Sequence, residues 1–314
     1  MKISGFSFVR NSDKLYYHIK EAIESILPIV DEFVVAVGKG DEDDTTRESI
    51  ASIKSDKVKI IDTVWDEKYM KRGKIHSMQT NIAKNACKGD WLFYLQADEI
   101  CHEKDHEMIV SKCEKYLNDE RVEGFLFDYK HFWGDYEHYH QSHGWYPYEI
   151  RIIRNNPNIH SWESAQSFRY CEDFRDPHQR EGTRKLRVIK AEADIFHYGF
   201  VRPPHYMRNK SKAFAQNHKG IARAEEIYKE LPDEFDYGPL NKIAIYKGTH
   251  PAVMQQLIKE HNWKDKLQYS GKVNPNRELH KHEKLKYRIV TMIEKIFYGG
   301  KQMFGFRNYN LLKK

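Results

Sequence analysis

No stretch of this 314-residue chain approaches the roughly 18 to 20 uninterrupted apolar residues that a membrane span requires. Cysteine is scarce: Cys87, Cys101, Cys113 and Cys171 are the only four, and none forms a Cys-x-x-Cys pair. That argues against a zinc ribbon and against a disulfide scaffold, and it suits a reducing cytoplasm. Met1 to Val9 runs directly into a strand-like segment, so no signal peptide is expected. A basic surplus is missing from the first 270 residues, which hold 41 Lys or Arg against 43 Asp or Glu. A nucleic-acid-binding core is therefore not indicated. Internal repeats and low-complexity stretches are absent as well.

What is present can bury a core: 40% of residues are hydrophobic and 31% charged. The length predicts two units, or one large α/β domain with an appendage. The 20 Tyr and 6 Trp fit a concave site that stacks on flat or sugar-like ligands, and they fit a rich core equally. The net charge of +6 sits in the tail, where residues 271–314 carry 11 Lys or Arg and 3 Glu. There Leu285, Ile289, Met292, Ile293, Ile296 and Phe297 recur at helical spacing, flanked by Lys284, Lys286, Arg288 and Lys295. Two readings stay open. The helix packs its apolar stripe on the domain, or it lies on an anionic membrane surface.

Strands and helices alternate through the first hundred residues. Lys2–Val9, Glu32–Val37, Lys57–Thr63 and Trp91–Leu95 read as strands, and Leu15–Leu27, Thr45–Ile53 and Lys74–Ala86 as helices. This rhythm implies βαβ units, hence a mostly parallel central sheet flanked by helices, with ligands at the strands' carboxyl ends. Beyond residue 120, strands are expected at Phe125–Tyr129, Glu149–Arg154, Lys185–Lys190 and Asp194–His197, and a helix at Met207–Glu230. Pro203-Pro204 marks a boundary between a catalytic unit, residues 1–204, and a helical extension with a basic amphipathic tail, residues 205–314.

The sharpest chemical signal is Asp98-Glu99, directly after a buried strand. Adjacent carboxylates cannot sit in a core unpaired, and at a strand end their oxygens suit a hard divalent cation. An N-cap for a helix starting near Lys104 is the bland alternative.

The run from Gly89 to Glu99 (GDWLFYLQADE) resembles the Gly-Asp-Trp…Asp-Ala-Asp-Glu segment of glycosyltransferase family 2, inverting enzymes of the GT-A fold. The resemblance covers residues 1 to about 100 well and the rest weakly. It implies a GT-A nucleotide-diphospho-sugar transferase that uses Mn²⁺ or Mg²⁺ and transfers a sugar to a glycan or lipid-linked acceptor in cell-envelope polysaccharide or lipopolysaccharide assembly. Such an enzyme would be cytoplasmic, and the membrane-surface reading of the basic tail would add peripheral contact with the membrane face. Asp98 matches the metal-binding Asp of the family's DxD triplet, while Gln96 stands where the first Asp would be. Val9-Arg10-Asn11, Asp43, Gln79, Gln96 and Ala97 match donor-nucleotide positions. Gly38 falls where relatives often have a uracil-contacting Asp. His197, in Phe196-His197-Tyr198-Gly199, matches a late His that returns to the metal or diphosphate. Glu163, in His160-Ser161-Trp162-Glu163-Ser164, resembles the segment that carries the base of an inverting transfer. Trp162 and Trp145 are the expected acceptor-sugar platforms.

Weaker clusters have paired readings. His131, His138, His140 and His143 lie among aromatic residues, as an acceptor loop, a buried cluster or a transition-metal site. Lys68, Lys71, Arg72 and Lys74 either approach the diphosphate or line a solvated helix entrance. The alternative function is a catalytically inactive nucleotide-sugar or glycan-binding protein on the same scaffold, motivated by Gln96 and Gly38. A dinucleotide oxidoreductase fares poorly, because Gly38-x-Gly40 is followed by Asp43 where GxGxxG needs glycine.

Overall fold

The computed structural model describes residues 1–303 and 305–313. The chain opens with β1 (Ile3–Val9), α1 (Ile19–Ile26), β2 (Glu32–Gly38), α2 (Thr46–Ala51), β3 (Val58–Thr63), α3 (Lys74–Ala86) and β4 (Trp91–Tyr94). These strands are parallel, in the order β3-β2-β1-β4. The helix expected from Leu15 starts four residues later. Tyr16 adopts φ +55° and the Ser12 hydroxyl donates to the Tyr17 carbonyl, so this stretch is a turn.

After β5 (Glu99–Cys101) and α4 (His106–Lys115) the sheet becomes mixed. β6 (Gly124–Trp133), β7 (His138–Tyr139), β8 (Tyr148–Arg154), the hairpin β9 (Ile159–Trp162) and β10 (Ser167–Tyr170), and β11 (Arg184–Phe200) follow. β8 sits antiparallel between β4 and β6, and β11 runs parallel to β6. The two strands expected at 185–190 and 194–197 are one. The register shifts between Lys190 and Asp194, where Glu192 takes φ +58°, so an irregularity joins them.

The helix expected from Met207 to Glu230 is two, α5 (Pro204–Lys219) and α6 (Ile221–Lys229), broken at Gly220 with φ +88°. Then come β12 (Ala244–Ile245), α7 (Gln255–Lys259), α8 (Leu285–Tyr298) and β13 (Tyr309–Leu311), which pairs with β11. The last 110 residues thus add helices and also a strand of the main sheet.

Burial follows the sequence pattern. β2 is buried at every position, as the apolar run FVVAV after Glu32 requires of a central strand. α1, α2 and α4 pack Ile19, Ile23, Ile26, Ile50 and Ile109 against one sheet face, and α3 brings Ala83 to the other. A third, aromatic core of Phe132, Trp133, Phe196 and Tyr198 is closed by Tyr237, Met254 and Trp263 from the C-terminal segment. All four cysteines are buried and unpaired.

α8 does not pack its stripe on the domain. Leu285, Ile289, Met292, Ile293, Ile296 and Phe297 are all exposed, Phe297 by 72%. Glu294 is the helix's buried residue, holding the His143 ring and the Met303 amide at 2.8 and 2.7 Å. No helix among the described residues is long and apolar enough to cross a membrane.

One buried ion pair ties the two halves of the sheet. Arg151 of β8 donates from Nε and Nη2 to both Glu99 oxygens at 2.7 Å, with both side chains fully buried. The Tyr129 hydroxyl and the Gln96 amide complete the carboxylate's partners at 2.6 and 3.0 Å. Replacing Arg151 with Met leaves Glu99 an uncompensated buried charge and is expected to cost about 3–5 kcal/mol. Urea unfolding measures this, and adding Glu99→Gln should recover most of the loss. An unchanged midpoint in the single variant would contradict the assignment.

Candidate active site

The carboxyl ends of β1, β2 and β4 converge on one rim, as expected for the parallel half of the sheet. Asp98 follows β4, and β5 then pairs antiparallel with β11, setting Glu99 beside His197. Asp98 and His197 meet here, with His197 Nε2 3.8 Å from Asp98 Oδ1. Asp98 is 4% exposed and His197 7%.

Two cations that sequence reasoning missed share the carboxylate. Lys210 of α5 donates to Asp98 Oδ2 at 2.7 Å and to the Gly199 carbonyl at 2.7 Å. Arg202 Nη2 lies 3.6 Å from the same oxygen. Burial alone would raise the Asp98 pKa, but the Lys210 and Arg202 cations beside it hold it far below the ordinary carboxylate range. Burial and the neighbouring Arg202 push the Lys210 ammonium down to about 8, against the pull of Asp98.

The protonation of His197 follows from its neighbours. His131 Nε2 lies 2.8 Å from the Tyr146 carbonyl, an obligate acceptor, so that nitrogen carries a hydrogen. Burial lowers the His131 pKa to about 4, so the ring is neutral and its Nδ1 is a lone pair. His197 Nδ1 is 3.0 Å away and must be the donor. Burial also keeps His197 neutral, which leaves its Nε2 lone pair facing Asp98. An imidazole and a carboxylate oxygen facing each other at 3.8 Å fit a divalent cation as two of its ligands, with His131 fixing the ring from behind. Among the described residues no group of three or more His, Cys, Asp and Glu converges on one point, so a ligand would supply the remaining oxygens.

Two interlocked loops lie at the carboxyl ends of β1 and β2. Asn11, at φ +53°, accepts the Asp41 amide at 2.9 Å, and Lys14 bridges Asp41 and Asp43. Asp43 lies in this exposed loop pair, and Val9 and Ala97 are buried backbone supports. Gly38 is glycine for a steric reason: a Cβ there would meet Trp65 Nε1 at 2.4 Å. The Arg10 guanidinium lies 5.6 Å from the Trp65 ring centroid. Arg10 Nε and Trp65 Nε1 are both buried without a hydrogen-bond partner. Gln79 of α3 is buried, and its Oε1 takes the hydroxyl of Thr63, the last residue of β3 and the partner of Gly38, at 2.6 Å.

Gln96 connects the rim to the hairpin. Its Nε2 donates to the Ala165 carbonyl at 3.1 Å, in the loop between β9 and β10. Glu163 and Ala165 in that loop both adopt positive φ, +54° and +62°. Two such residues within three positions represent backbone strain held by the surroundings, here the Ser77 hydroxyl bonded at both ends. The Glu163 carboxylate accepts from Arg180 at 2.5 Å and is about one-third exposed.

The aromatic platforms are engaged within the protein. Arg169 and Arg180 lie 3.9 and 4.7 Å from the Trp162 ring centroid, and the ring is buried. Trp145 stacks on His140 with centroids 4.0 Å apart. The four histidines do not converge on one point: His131 bonds His197, His138 Asp135 and His143 Glu294, while His131 and His140 both pack on Trp145. In the basic patch, Lys68 pairs with Asp66 and Lys74 with Asp176, while Arg72 stays exposed at φ +56°.

The sequence matches no family model and no curated protein. Among solved structures, the chain is similar to a glucosyl-3-phosphoglycerate synthase from Mycobacterium tuberculosis in complex with Mn²⁺, UDP and phosphoglyceric acid. The two share 18% identity with a TM-score of 0.27, covering 41% of this chain and 42% of that one. It is also similar to S. aureus TarS, at 14% identity and a TM-score of 0.36, covering 72% of this chain and 42% of the other. A third likeness is to the mannosyltransferase PcManGT from Pyrobaculum calidifontis in complex with GDP-Man and Mn²⁺, at 18% identity and a TM-score of 0.29. That match covers 42% of this chain and 35% of the other. The chain thus spans about two fifths of the length of the structures it matches.

Proposed function

We propose that this chain transfers a sugar from a nucleotide-diphospho-sugar to a hydroxyl of a glycan or lipid-linked acceptor, with inversion at the anomeric carbon. One observation carries the reading. At the rim of the parallel strands, Asp98 and His197 lie 3.8 Å apart beside the buried cations Lys210 and Arg202, a corner suited to an anion. Asp98 and His197 would hold Mn²⁺ or Mg²⁺. Such an ion, when bound, offsets negative charge on a departing diphosphate. Arg10, Asn11 and Asp43 line the nucleoside side, where the unpaired Arg10 Nε and Trp65 Nε1 offer hydrogen bonds to a base or ribose.

The acceptor's proton needs a carboxylate base on the far side of the anomeric carbon. Glu163 takes that role. It sits in the strained loop that Gln96 ties to the Asp98 turn, and its carboxylate keeps solvent access. Glu149 is the competing carboxyl, joined to the same loop through Gln166 Nε2 at 2.8 Å. It is buried, and it supports the loop rather than meeting the acceptor.

Turnover with a panel of UDP- and GDP-sugars in the presence of Mn²⁺ tests the reading. Glu163→Gln should lower kcat about 10²-fold or more with little change in donor KM. Full rates in that variant would remove the base assignment. Nucleotide binding without turnover under every acceptor would favour the inactive-scaffold alternative.

Glu149 gives a separate pH signature. Burial pushes its carboxyl from 4.5 up to about 7, against the opposing pull of Arg151. Between those values the folded chain keeps a proton that the unfolded chain releases, so stability falls as pH rises through that window. The difference is on the order of 3 kcal/mol. Unfolding midpoints at pH 5 and pH 8 should drop in the wild type and drop less in Glu149→Gln.

α8 supplies the membrane contact. Its solvent-facing Ile289, Met292, Ile296 and Phe297, with Lys286, Arg288 and Lys295 beside them, match an anionic lipid surface in both polarity and charge. The full chain should co-sediment with phosphatidylglycerol vesicles and bind phosphatidylcholine vesicles much less. Ile289, Ile296 and Phe297 changed together to Ser should abolish the difference.

A further inference from the structure

The corner around Asp98 carries more positive charge than its carboxylate balances. Lys210 and Arg202 are both cations, and Asp98 is the one carboxylate they share. The cluster is therefore one positive charge in excess, in a region where Arg202 is fully buried and the Lys210 side chain is 13% exposed. An uncompensated buried cation is unfavourable unless an anion meets it.

The hydrogen-bond inventory points the same way. Arg202 Nη1 donates to the Leu15 carbonyl at 2.6 Å, while its Nε and Nη2 have no hydrogen-bond partner among the described residues. His18 Nε2 is buried and unpartnered too. Lys210 commits two of its three hydrogens, to Asp98 and to the Gly199 carbonyl. Position 199 has no room for a side chain, since a Cβ there would lie 2.3 Å from His197 Nε2 and 3.0 Å from Asp98 Oδ2. Donors without acceptors, fixed in place and surplus in charge, describe an anion site.

We propose that Lys210 and Arg202 form a built-in cationic clamp for a diphosphate, so that a nucleoside diphosphate binds this protein without a divalent ion. The idea rests on the glycosyl-transfer reading for the identity of the ligand, although the clamp itself recognises only the diphosphate. Asp98 then has two roles. Oδ2 positions Lys210, and Oδ1, with His197, remains available to a cation. A dication arriving alone would meet two fixed positive charges, so it is expected to bind only together with the nucleotide.

Calorimetric titration of the full chain with UDP, GDP and inorganic pyrophosphate, in EDTA and in Mn²⁺, tests this. Binding of a nucleoside diphosphate in EDTA is expected, weakened about tenfold or more in Lys210→Met and substantially retained in Lys210→Arg. Mn²⁺ added to protein without nucleotide should keep its free-ion electron paramagnetic resonance spectrum. Wild-type binding that is lost in EDTA and restored by Mn²⁺ would overturn the clamp, and that arm needs no variant. Tight Mn²⁺ binding to the protein alone would overturn it as well. Pyrophosphate binding in EDTA with no affinity for either nucleotide would support the clamp and sink the nucleotide-sugar reading. Failure of all three ligands with and without Mn²⁺ would overturn both.

Discussion

Two adjacent carboxylates, both buried, lie at the end of the fourth strand, and much of the molecule is arranged to neutralise them. Glu99 is fully buried and Asp98 nearly so, and burying an unpaired carboxylate costs several kcal/mol. Glu99 is met from within the sheet by Arg151 of β8, 52 residues away in sequence. Asp98 is met from outside the sheet by Lys210 and Arg202, which only the chain after β11 can deliver. The C-terminal helices are in this sense a condition for the strand end to exist, beyond any role as a cover.

That division gives the two carboxylates different chemistry. Glu99 has all its partners in fixed protein groups and is structural. Asp98 has one oxygen held and the other turned toward a neutral imidazole whose lone pair is free. A group only partly satisfied by the protein is the one able to act on a ligand.

The sequence patterns that succeeded were local. The apolar run of β2, the amphipathic Lys74–Ala86 helix and the strand before Asp98 all depend on periodicity within a short window, and they were legible. Patterns failed where a single residue changed the backbone, as at Tyr16, Gly220 and Glu192. The site was legible in part. Asp98 and His197 were readable from strand ends and do meet. Trp162 and Trp145 were read as acceptor platforms because exposure cannot be read from residue type, and Arg169 of β10, Arg180 of the loop before β11 and His140 pack on them.

By itself the sequence determined the alternation of strands and helices, the parallel start of the sheet and the position of the acidic pair on its rim. Each of these follows from backbone propensity and side-chain period over a few residues. Tertiary structure alone decided which cations reach Asp98, why position 38 must be glycine beneath Trp65, and that the apolar face of α8 looks outward. Those outcomes depend on segments tens to more than a hundred residues apart arriving at one place, and a local pattern encodes what a side chain is without encoding what it will meet.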